Sequence, residues 1–517
     1  MNRKHKILYK VFTIGFYSVI LILIIFGISQ VLSYLNSGAD RSSMLHLELN
    51  KEEVYLPKVI WKDTTNPGRP IEKQTLEDIE KDYLNAWYVR QVAYQTNITT
   101  GIENYYTTRA RKPILEYIRT NENHNISIRG TTTHHNLSLE FYSADGQLVG
   151  LKDSHVKEYQ RVYKDNNLMI ETSIESDYRI VLLLEDGFWR IRHLLKEESE
   201  IVKDTLKSKS MNTVSGKKIY AEGVEYQIKG INYYPQKTPW DMFGNNFDMT
   251  AISKDFDMIR SMNLNTIRIF VGYEDFGKAD VLLEKLQKLR QVLDMAEEKN
   301  LKVIVTLFDF YGDYSVLDWT LTHRHAEQIV TEFKAHKAIL AWDIKNEPNL
   351  DFSSRSKERV MSWLQEMIVQ VKTFAPNHLV TIGWSDAESA TLLQDKVDMV
   401  SFHYYQDVDS FEEIYQKLDM SIDKPIVLQE YGLSSNIGLW NPFGVSERGQ
   451  AAYYKRFLEI LKKNPINYMS WTLYDYHKIP SSVVGNWPWR KQKQKHFGCI
   501  DKDGNKKKSF EFIEAVK

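Results

Sequence analysis

The sequence predicts an α/β chain whose C-terminal part, residues 211–517, closes into a (β/α)8 barrel. Two observations predict this fold: eight short runs of strand type, and amphipathic helical patterns between them. Alternating strands and helices are typical of a parallel sheet, and eight repeats match the closed barrel, which usually takes about 250 residues. The strand-like runs are Tyr226–Tyr233, Thr266–Phe270, Lys302–Phe308, Ile339–Lys345, Leu379–Gly383, Met399–His403, Ile426–Gln429 and Asn467–Leu473.

The segments between these runs have helical periodicity, because their apolar residues recur three and four positions apart. In a barrel of this type the chemistry lies at the carboxyl ends of the strands, so residues that end or follow a predicted strand are candidate site residues. The helical patterns include Ile252–Met262, Ala279–Lys299, His325–Lys337, Ser354–Thr373 and Ser446–Lys463.

Residues 72–205 form a separate α+β unit ahead of the barrel. Apolar residues from Leu76 to Val92 predict a long helix, and Lys112–Arg119 predicts a second one. This order, helices followed by a meandering antiparallel sheet, resembles the cone-shaped fold of the nuclear transport factor 2-like superfamily. The resemblance implies a fold but no particular activity. We expect a spacer, a ligand pocket, or a surface for a protein partner or dimerisation. The predicted strands are Ile126–Thr132, Leu137–Tyr142, Lys157–Lys164, Leu168–Ser176, Tyr178–Glu185 and Phe188–Lys196.

The N-terminal sequence predicts a membrane anchor. A basic segment, Met1–Lys10, precedes Val11–Ile28, which has no charged residue and is about long enough to cross a bilayer. The basic flank places the N-terminus in the cytoplasm and the remainder outside. A cleaved signal peptide is the alternative, but its apolar core is typically shorter, about 7–15 residues. We expect residues 1–35 to form a cytoplasmic tail and single-pass signal anchor in the cell membrane, and residues 36–71 a stalk.

Composition restricts the classes of function. Hydrophobic residues at 43% and charged residues at 26% are ordinary for a globular protein. A formal net charge of −1 does not indicate nucleic-acid binding, whereas it is compatible with a neutral sugar polymer. Cys499 is the single cysteine, so no disulfide forms within the chain, which favours a bacterial origin for a large extracellular protein. No His-x-x-x-His or Cys-x-x-Cys spacing occurs, so neither a metal nor another cofactor is predicted.

Two glutamates carry the strongest functional signal in the sequence. Glu347 lies in Ala-Trp-Asp-Ile-Lys-Asn-Glu-Pro-Asn, and Glu430 lies in Lys-Pro-Ile-Val-Leu-Gln-Glu-Tyr-Gly. Each follows an apolar run of strand type and precedes a turn signal. A carboxylate at the end of a buried strand is costly in free energy, and a pair of them indicates acid and nucleophile chemistry on a glycosidic bond.

The barrel resembles the retaining glycoside hydrolases of clan A, and most of all glycoside hydrolase family 5. The resemblance covers the whole barrel and implies that Glu347 on strand four is the acid/base and Glu430 on strand seven the nucleophile. In a retaining mechanism the two carboxyl groups flank the scissile bond about 5–5.5 Å apart. The motifs that carry the resemblance are Asn346-Glu347-Pro348, Phe402-His403-Tyr404-Tyr405, Glu430-Tyr431-Gly432 and Ser470-Trp471.

The resemblance also assigns supporting residues. It implies that Arg268 holds the nucleophile and that Asn346 binds the sugar 2-hydroxyl. It places His403 beside the acid/base, and it implies that Tyr405, or alternatively Tyr404, donates a hydrogen bond to the nucleophile. Sugar rings stack on flat aromatic faces, so tryptophans near strand ends are candidate subsites, Trp471 first among them. The other candidates are Trp240, Trp319, Trp384, Trp440, Trp487 and Trp489.

One segment departs from the family pattern. Many members have a histidine at the end of strand three, where this chain has Phe308 and Asp309. The departure is loosely similar to the mannan-active branches of the clan, and it leaves the sugar open. The basic run Arg490–Lys495 is interpreted as a solvated loop, with contact to an anionic polymer as the alternative.

The predicted function is that of a membrane-anchored, extracellular retaining glycosidase that hydrolyses β-linked glycans by double displacement. The expected substrates are β-1,4-linked mannan or glucan, or an exopolysaccharide. A transglycosylase shares the first half-reaction and stays an alternative, as does a glycan-binding or assembly scaffold of low activity. Endo and exo action are not separated by the sequence.

Overall fold

The computed structural model describes Leu21, Ile24 and residues 55–66, 70–198, 211–438 and 441–514. Among these residues no helix has the length and apolar character needed to cross a bilayer. Apart from Leu21 and Ile24, the predicted anchor at 1–35 lies outside the described residues, as does most of the predicted stalk.

The N-terminal unit is a six-stranded sheet with helices packed against one face. Strand β1 (Lys58–Asp63) pairs in parallel with β3, while all the other pairings in the sheet are antiparallel. Helix α1 (Lys73–Thr96) buries Tyr83 and Trp87 against the sheet. The other elements are α2 (Ile102–Tyr105), α3 (Thr108–Asn123), β2 (Ile126–Thr132), β3 (His134–Tyr142), β4 (Leu148–Lys164), β5 (Asn167–Glu185) and β6 (Phe188–Glu198).

A small antiparallel sheet and a closed barrel of eight parallel strands follow. The barrel strands are buried on both sides, which explains why their sequences are continuous apolar runs instead of alternating ones. The small sheet comprises β7 (Asn212–Ser215), β8 (Lys218–Ala221) and β9 (Val224–Tyr226). The barrel comprises β10 (Lys229–Asn232), β11 (Thr266–Gly272), β12 (Lys302–Asp309), β13 (Ile339–Asn346), β14 (Leu379–Trp384), β15 (Val400–Tyr404), β16 (Ile426–Tyr431) and β17 (Asn467–Ser470).

Helices surround the barrel and cover the outer faces of its strands. Two of them begin at capping side chains: Asp248 accepts from the backbone N–H groups of Thr250 and Ala251, and Ser446 accepts from that of Gly449. The helices are α4 (Met249–Ser261), α5 (Leu283–Glu298), α6 (Trp319–Phe333), α7 (Phe352–Arg355), α8 (Lys357–Phe374), α9 (Phe411–Ser421), α10 (Glu447–Lys463), α11 (Ser481–Val484), α12 (Pro488–Lys495) and α13 (Phe510–Glu514). Short 3-10 turns cover Val316–Asp318, Pro348–Asp351, Ser389–Thr391 and Val408–Ser410.

The predicted barrel is confirmed, and the differences lie at element boundaries. The first predicted strand is divided between β9 and the short β10, and the two runs predicted at 168–185 form the single strand β5. Strand β1 lies within the segment predicted to be a stalk. The helix-on-sheet arrangement of the N-terminal unit is present, while its membership of the nuclear transport factor 2-like superfamily stays a prediction.

The N-terminal unit rests on helices α6 and α8 of the barrel. The guanidinium of Arg161, on β4, donates to Glu358 on α8 at 2.8 Å, and Tyr163 donates to the same carboxylate at 2.6 Å. The rings of Tyr159 and Trp319 lie 4.3 Å apart between their centroids. These two helices follow strands β12 and β13, so the contact supports the part of the barrel from which Glu347 projects.

Candidate active site

Glu347 directly follows strand β13 at the carboxyl end of the barrel. Its backbone is left-handed, with φ 49° and ψ 49°, a conformation that is uncommon for a residue with a side chain. The backbone N–H of Glu347 donates to the carbonyl of Gly383 at 2.6 Å, and Pro348 starts a 3-10 turn directly after it. Strained backbone of this kind concentrates at functional sites, and here it turns the carboxylate out of the strand direction.

Glu430 lies in strand β16 and is 5% exposed. Its Oε1 accepts a hydrogen bond from Arg268 at 2.5 Å, and its Oε2 accepts one from the hydroxyl of Tyr405 at 2.6 Å. Removal of the Tyr405 hydroxyl from water and the charge of Glu430 raise the pKa of Tyr405 well above its ordinary value. The tyrosine therefore stays a hydrogen-bond donor to Glu430 at neutral pH, even though 41% of the residue is exposed.

His403 connects the two glutamates. Its Nδ1 lies 3.0 Å from Glu347 Oε1 and 3.4 Å from Glu430 Oε2, and its Nε2 lies 3.4 Å from the side-chain oxygen of Gln429. One oxygen of each glutamate and one nitrogen of His403 lie within 4.8 Å of one another. The two carboxylates thus face the same small volume, from strands four and seven of the barrel.

Arg268 is completely buried and ties the strands beneath the site together. It contacts Asp343 at 2.6 Å and Glu430 at 2.5 Å, and it donates to the side-chain oxygen of Asn346 at 2.9 Å. Burial opposes its charge, but the charges of Asp343 and Glu430 outweigh burial and raise the pKa of Arg268. The cation is held permanently below the two glutamates.

Asp343 is a site residue that was not predicted from the sequence. It accepts hydrogen bonds from Arg268, from Thr306 at 2.7 Å and from the backbone N–H of Gly383 at 2.8 Å. The available signal was a charged residue in the middle of an apolar strand run, two positions before Lys345, so that both side chains point to the same side of the strand. Gly383 is required beside it, because an added Cβ would lie 2.9 Å from Arg268 Nη2 and 2.5 Å from Gln429 Oε1.

A pocket of about 410 Å³ opens above these carboxylates. One wall is aromatic: Trp471 lines it, with Trp240 at 6.0 Å and Phe270 at 6.1 Å between ring centroids. Asp309, from the segment where the family pattern has a histidine, lines the same pocket and accepts from Tyr234 at 3.3 Å. The combination of flat aromatic faces and carboxylates suits a sugar ring.

The remaining predicted residues differ in their positions. Asn346, Tyr405 and Trp240 line the pocket, whereas Tyr404 donates to the backbone carbonyl of Asp407 at 2.5 Å. Two tryptophans serve packing, because Trp319 contacts the N-terminal unit and Trp384 is 2% exposed. Trp487 and Trp489 pair with each other, with ring centroids 4.3 Å apart, and Trp440 lies outside the described residues.

A closed parallel barrel with two glutamates converging at the carboxyl ends of strands four and seven defines a barrel glycoside hydrolase. Residues 219–477 match the family described as cellulase (glycosyl hydrolase family 5), and this match spans half of the chain. The chain belongs to glycosyl hydrolase family 5. It is a glycoside hydrolase of β-linked glycans.

Curated relatives match about half of this chain. A mannan endo-1,4-beta-mannosidase A from Emericella nidulans is 24% identical over 43% of this chain and 72% of its own length. A beta-glucuronidase from Chlorocebus aethiops is 22% identical over 51% of this chain and 41% of its own length. Among solved structures, the exo-beta-1,4-mannosidase Op5Man5 from Opitutaceae bacterium strain TAV5 has a TM-score of 0.48 and 20% identity, over 56% of this chain and 59% of that one.

Arg268→Met is expected to lower the free energy of unfolding by about 3–5 kcal/mol, because the substitution leaves Asp343 buried without its cation. Urea unfolding of the wild type and the variant measures the difference. Adding Asp343→Asn to Arg268→Met is expected to recover part of the loss, because the unpaired charge is then removed. A double variant no more stable than the single one would contradict this account of the pair.

His403 is expected to make the stability depend on pH. Burial opposes its charge, but the charge of Glu430 and the hydrogen bond and charge of Glu347 outweigh it, so the pKa of His403 is raised above 6.5. The stabilisation is fully present below the unfolded-state pKa near 6.5 and is lost as pH rises through the raised folded-state pKa. The difference in unfolding free energy between wild type and His403→Gln should therefore be larger at pH 6 than at pH 9. If the difference in unfolding free energy did not change with pH, the proposed ionisation of His403 would be refuted.

Proposed function

We propose that the protein hydrolyses β-linked glycans with retention of configuration, with Glu347 as acid/base and Glu430 as nucleophile. The observation that carries the proposal is the separation of the two carboxylates, whose nearest oxygens lie within 4.8 Å of each other. Retaining enzymes place the carboxyl groups about 5–5.5 Å apart, whereas inverting enzymes leave about 6.5–9.5 Å for a water molecule. The short separation favours direct attack by one carboxylate on the anomeric carbon.

In the first step Glu430 attacks the anomeric carbon while Glu347 donates its proton to the leaving oxygen, and a glycosyl-enzyme ester forms. In the second step Glu347 takes a proton from water, which displaces Glu430. Arg268 and Tyr405 both bond to Glu430, so they orient the nucleophile and bear part of its changing charge. His403 lies within 3.4 Å of both glutamates and positions them relative to one another.

Asn346 is proposed to bind the sugar 2-hydroxyl. Its side-chain oxygen accepts from Arg268, which orients the amide so that its NH2 group is the donor side. A hydrogen bond to the 2-hydroxyl strengthens as positive charge develops at the neighbouring anomeric carbon. Trp471 supplies an apolar face at 6% exposure on which the same sugar ring rests.

The proposed substrate class is β-1,4-linked mannan or glucan, or an exopolysaccharide, and the family together with the mannan-active relative supports it. The proposed location is outside the cell, with residues 1–35 as a single-pass anchor, because of the uncharged segment and its basic flank. Fractionation of expressing cells with protease protection of the barrel tests this location. A transglycosylase remains the second candidate, because transfer to an acceptor sugar uses the same glycosyl-enzyme ester.

Proton NMR during turnover tests the retaining mechanism. An aryl β-glycoside or short β-1,4-linked oligosaccharide should release the β-anomer first, followed by slow mutarotation to the α-anomer. Initial release of the α-anomer would overturn the proposed roles of Glu347 and Glu430. Repeating the reaction with an added acceptor sugar separates hydrolysis from transfer, since a transglycosylase yields a longer glycan.

A further inference from the structure

Helix α12 forms part of the rim of the active-site pocket. Its sequence, Pro-Trp-Arg-Lys-Gln-Lys-Gln-Lys, contains four basic residues and no acidic one. The same pocket is lined by Leu433 and Ser434 after strand seven and by Val484 after strand eight, so α12 stands at this side of the mouth. The sequence of this segment predicts a solvated loop, whereas the structure shows a helix that faces the site.

One face of α12 is turned to the pocket. Arg490, Lys493 and Gln494 line it, and their spacing of three and four residues places them together on one side of a helix. The other two basic residues differ: Lys491 donates to Ser481 at 2.9 Å and lies away from the pocket, and Lys495 does not line it. Two cations of the helix are therefore presented to the site and two are not.

Hydrogen bonds to backbone carbonyls hold the helix in position, and the side chains of Arg490 and Lys493 take no part in them. The hydroxyl of Ser434 donates to the backbone carbonyl of Lys493 at 2.6 Å, and the backbone N–H of Tyr476 donates to that of Lys495 at 3.0 Å. Across the part of the chain that the structure describes, no carboxylate forms an ion pair with Arg490 or Lys493. Both residues are exposed at the rim of the pocket.

Because acidic residues line the pocket, the two cations can affect which substrates bind. Glu430 and Asp309 line the same pocket, and an anionic sugar that enters would be repelled by their carboxylates. Cations at the mouth offset this repulsion for an anionic substrate, whereas a neutral glycan gains little from them. A guanidinium offers two parallel donors that match a carboxylate, and the amide of Gln494 adds another donor on the same face.

We infer that Arg490 and Lys493 bind a carboxylate carried by the glycan, so the enzyme prefers a β-linked polysaccharide with acidic sugar residues. This inference rests on the proposed function, because it concerns the substrate of the same site. The alternative is that Arg490 and Lys493 contact only solvent and do not affect substrate preference. The experiment has to distinguish these two cases.

The test compares glucomannan with the same glucomannan partly oxidised to carboxylates at C6. We expect Arg490→Gln/Lys493→Gln to lower kcat/KM on the oxidised polymer about tenfold, and on the parent polymer by less than about twofold. Lys495→Gln is the matched control, because it removes a charge from the same helix outside the pocket. The wild-type preference for the oxidised polymer should also shrink as sodium chloride is raised, because salt screens exposed charges.

Binding is measured alongside turnover, by calorimetry with both polymers in the Glu430→Gln background. If the wild type cleaves neither polymer, the proposed substrate backbone is wrong, but tighter binding of the oxidised polymer that depends on Arg490 and Lys493 still supports the inference. Equal loss on both polymers, no loss on either, or binding of neither polymer would overturn it. An equal effect of Lys495→Gln would show that general surface charge is responsible.

Discussion

Glu430→Ala is expected to lower kcat on an aryl β-glycoside on the order of 10⁵-fold, because no glycosyl-enzyme ester can form without the carboxylate. The substitution also leaves a space below the anomeric carbon. Azide can enter that space and attack the activated glycoside, so added azide is expected to restore turnover and to yield the α-glycosyl azide. Steady-state rates with and without azide, and NMR of the product, measure both effects.

Glu388→Ala is the matched control for Glu430→Ala. Glu388 is an exposed glutamate in the segment after strand five, near the 3-10 turn Ser389–Thr391, and it does not line the pocket. Its replacement should leave kcat unchanged within about twofold, as for most surface substitutions. Activity of Glu430→Ala within tenfold of the wild type would remove Glu430 from the role of nucleophile. Circular dichroism of both variants checks that the barrel is folded.

The order of the barrel strands could be predicted from sequence because each strand is buried on both sides and therefore appears as an apolar run. The same burial explains why Glu347 and Glu430 stand out, since each is a charged residue at the end of such a run. The ends of the strands were harder to predict. Strand β10 forms only a few ladder pairs with β11 and β17, and the apolar residues that follow it do not indicate where the strand ends.

Contacts between distant segments could not be predicted from the sequence. The bridge from His403 to both glutamates depends on the register between β15 and β16, where His403 pairs with Glu430 across a bulge. The role of Asp343 could not be predicted because its partner, Arg268, lies 75 positions earlier in the chain. The role of α12 depends on which of its side chains face the pocket. The composition of the segment shows only that it is basic.

Glu347→Gln is expected to separate substrates by their leaving group. On a β-1,4-linked oligosaccharide the leaving alkoxide needs a proton, so kcat/KM should fall about 10²–10⁴-fold. A dinitrophenyl β-glycoside has a leaving group that departs without protonation, so its kcat/KM should change little, because this constant reports the first step.

Deglycosylation still needs the base, so the Glu347→Gln enzyme should accumulate the ester on Glu430 and release dinitrophenolate in a burst. Stopped-flow absorbance and mass spectrometry of the intact protein measure the burst and the covalent adduct. Glutamine keeps the size of the side chain at this left-handed position, so the backbone turn after β13 should persist. Equal losses on both substrates would mean that Glu347 only binds the glycan, and the acid would then have to be sought elsewhere in the pocket.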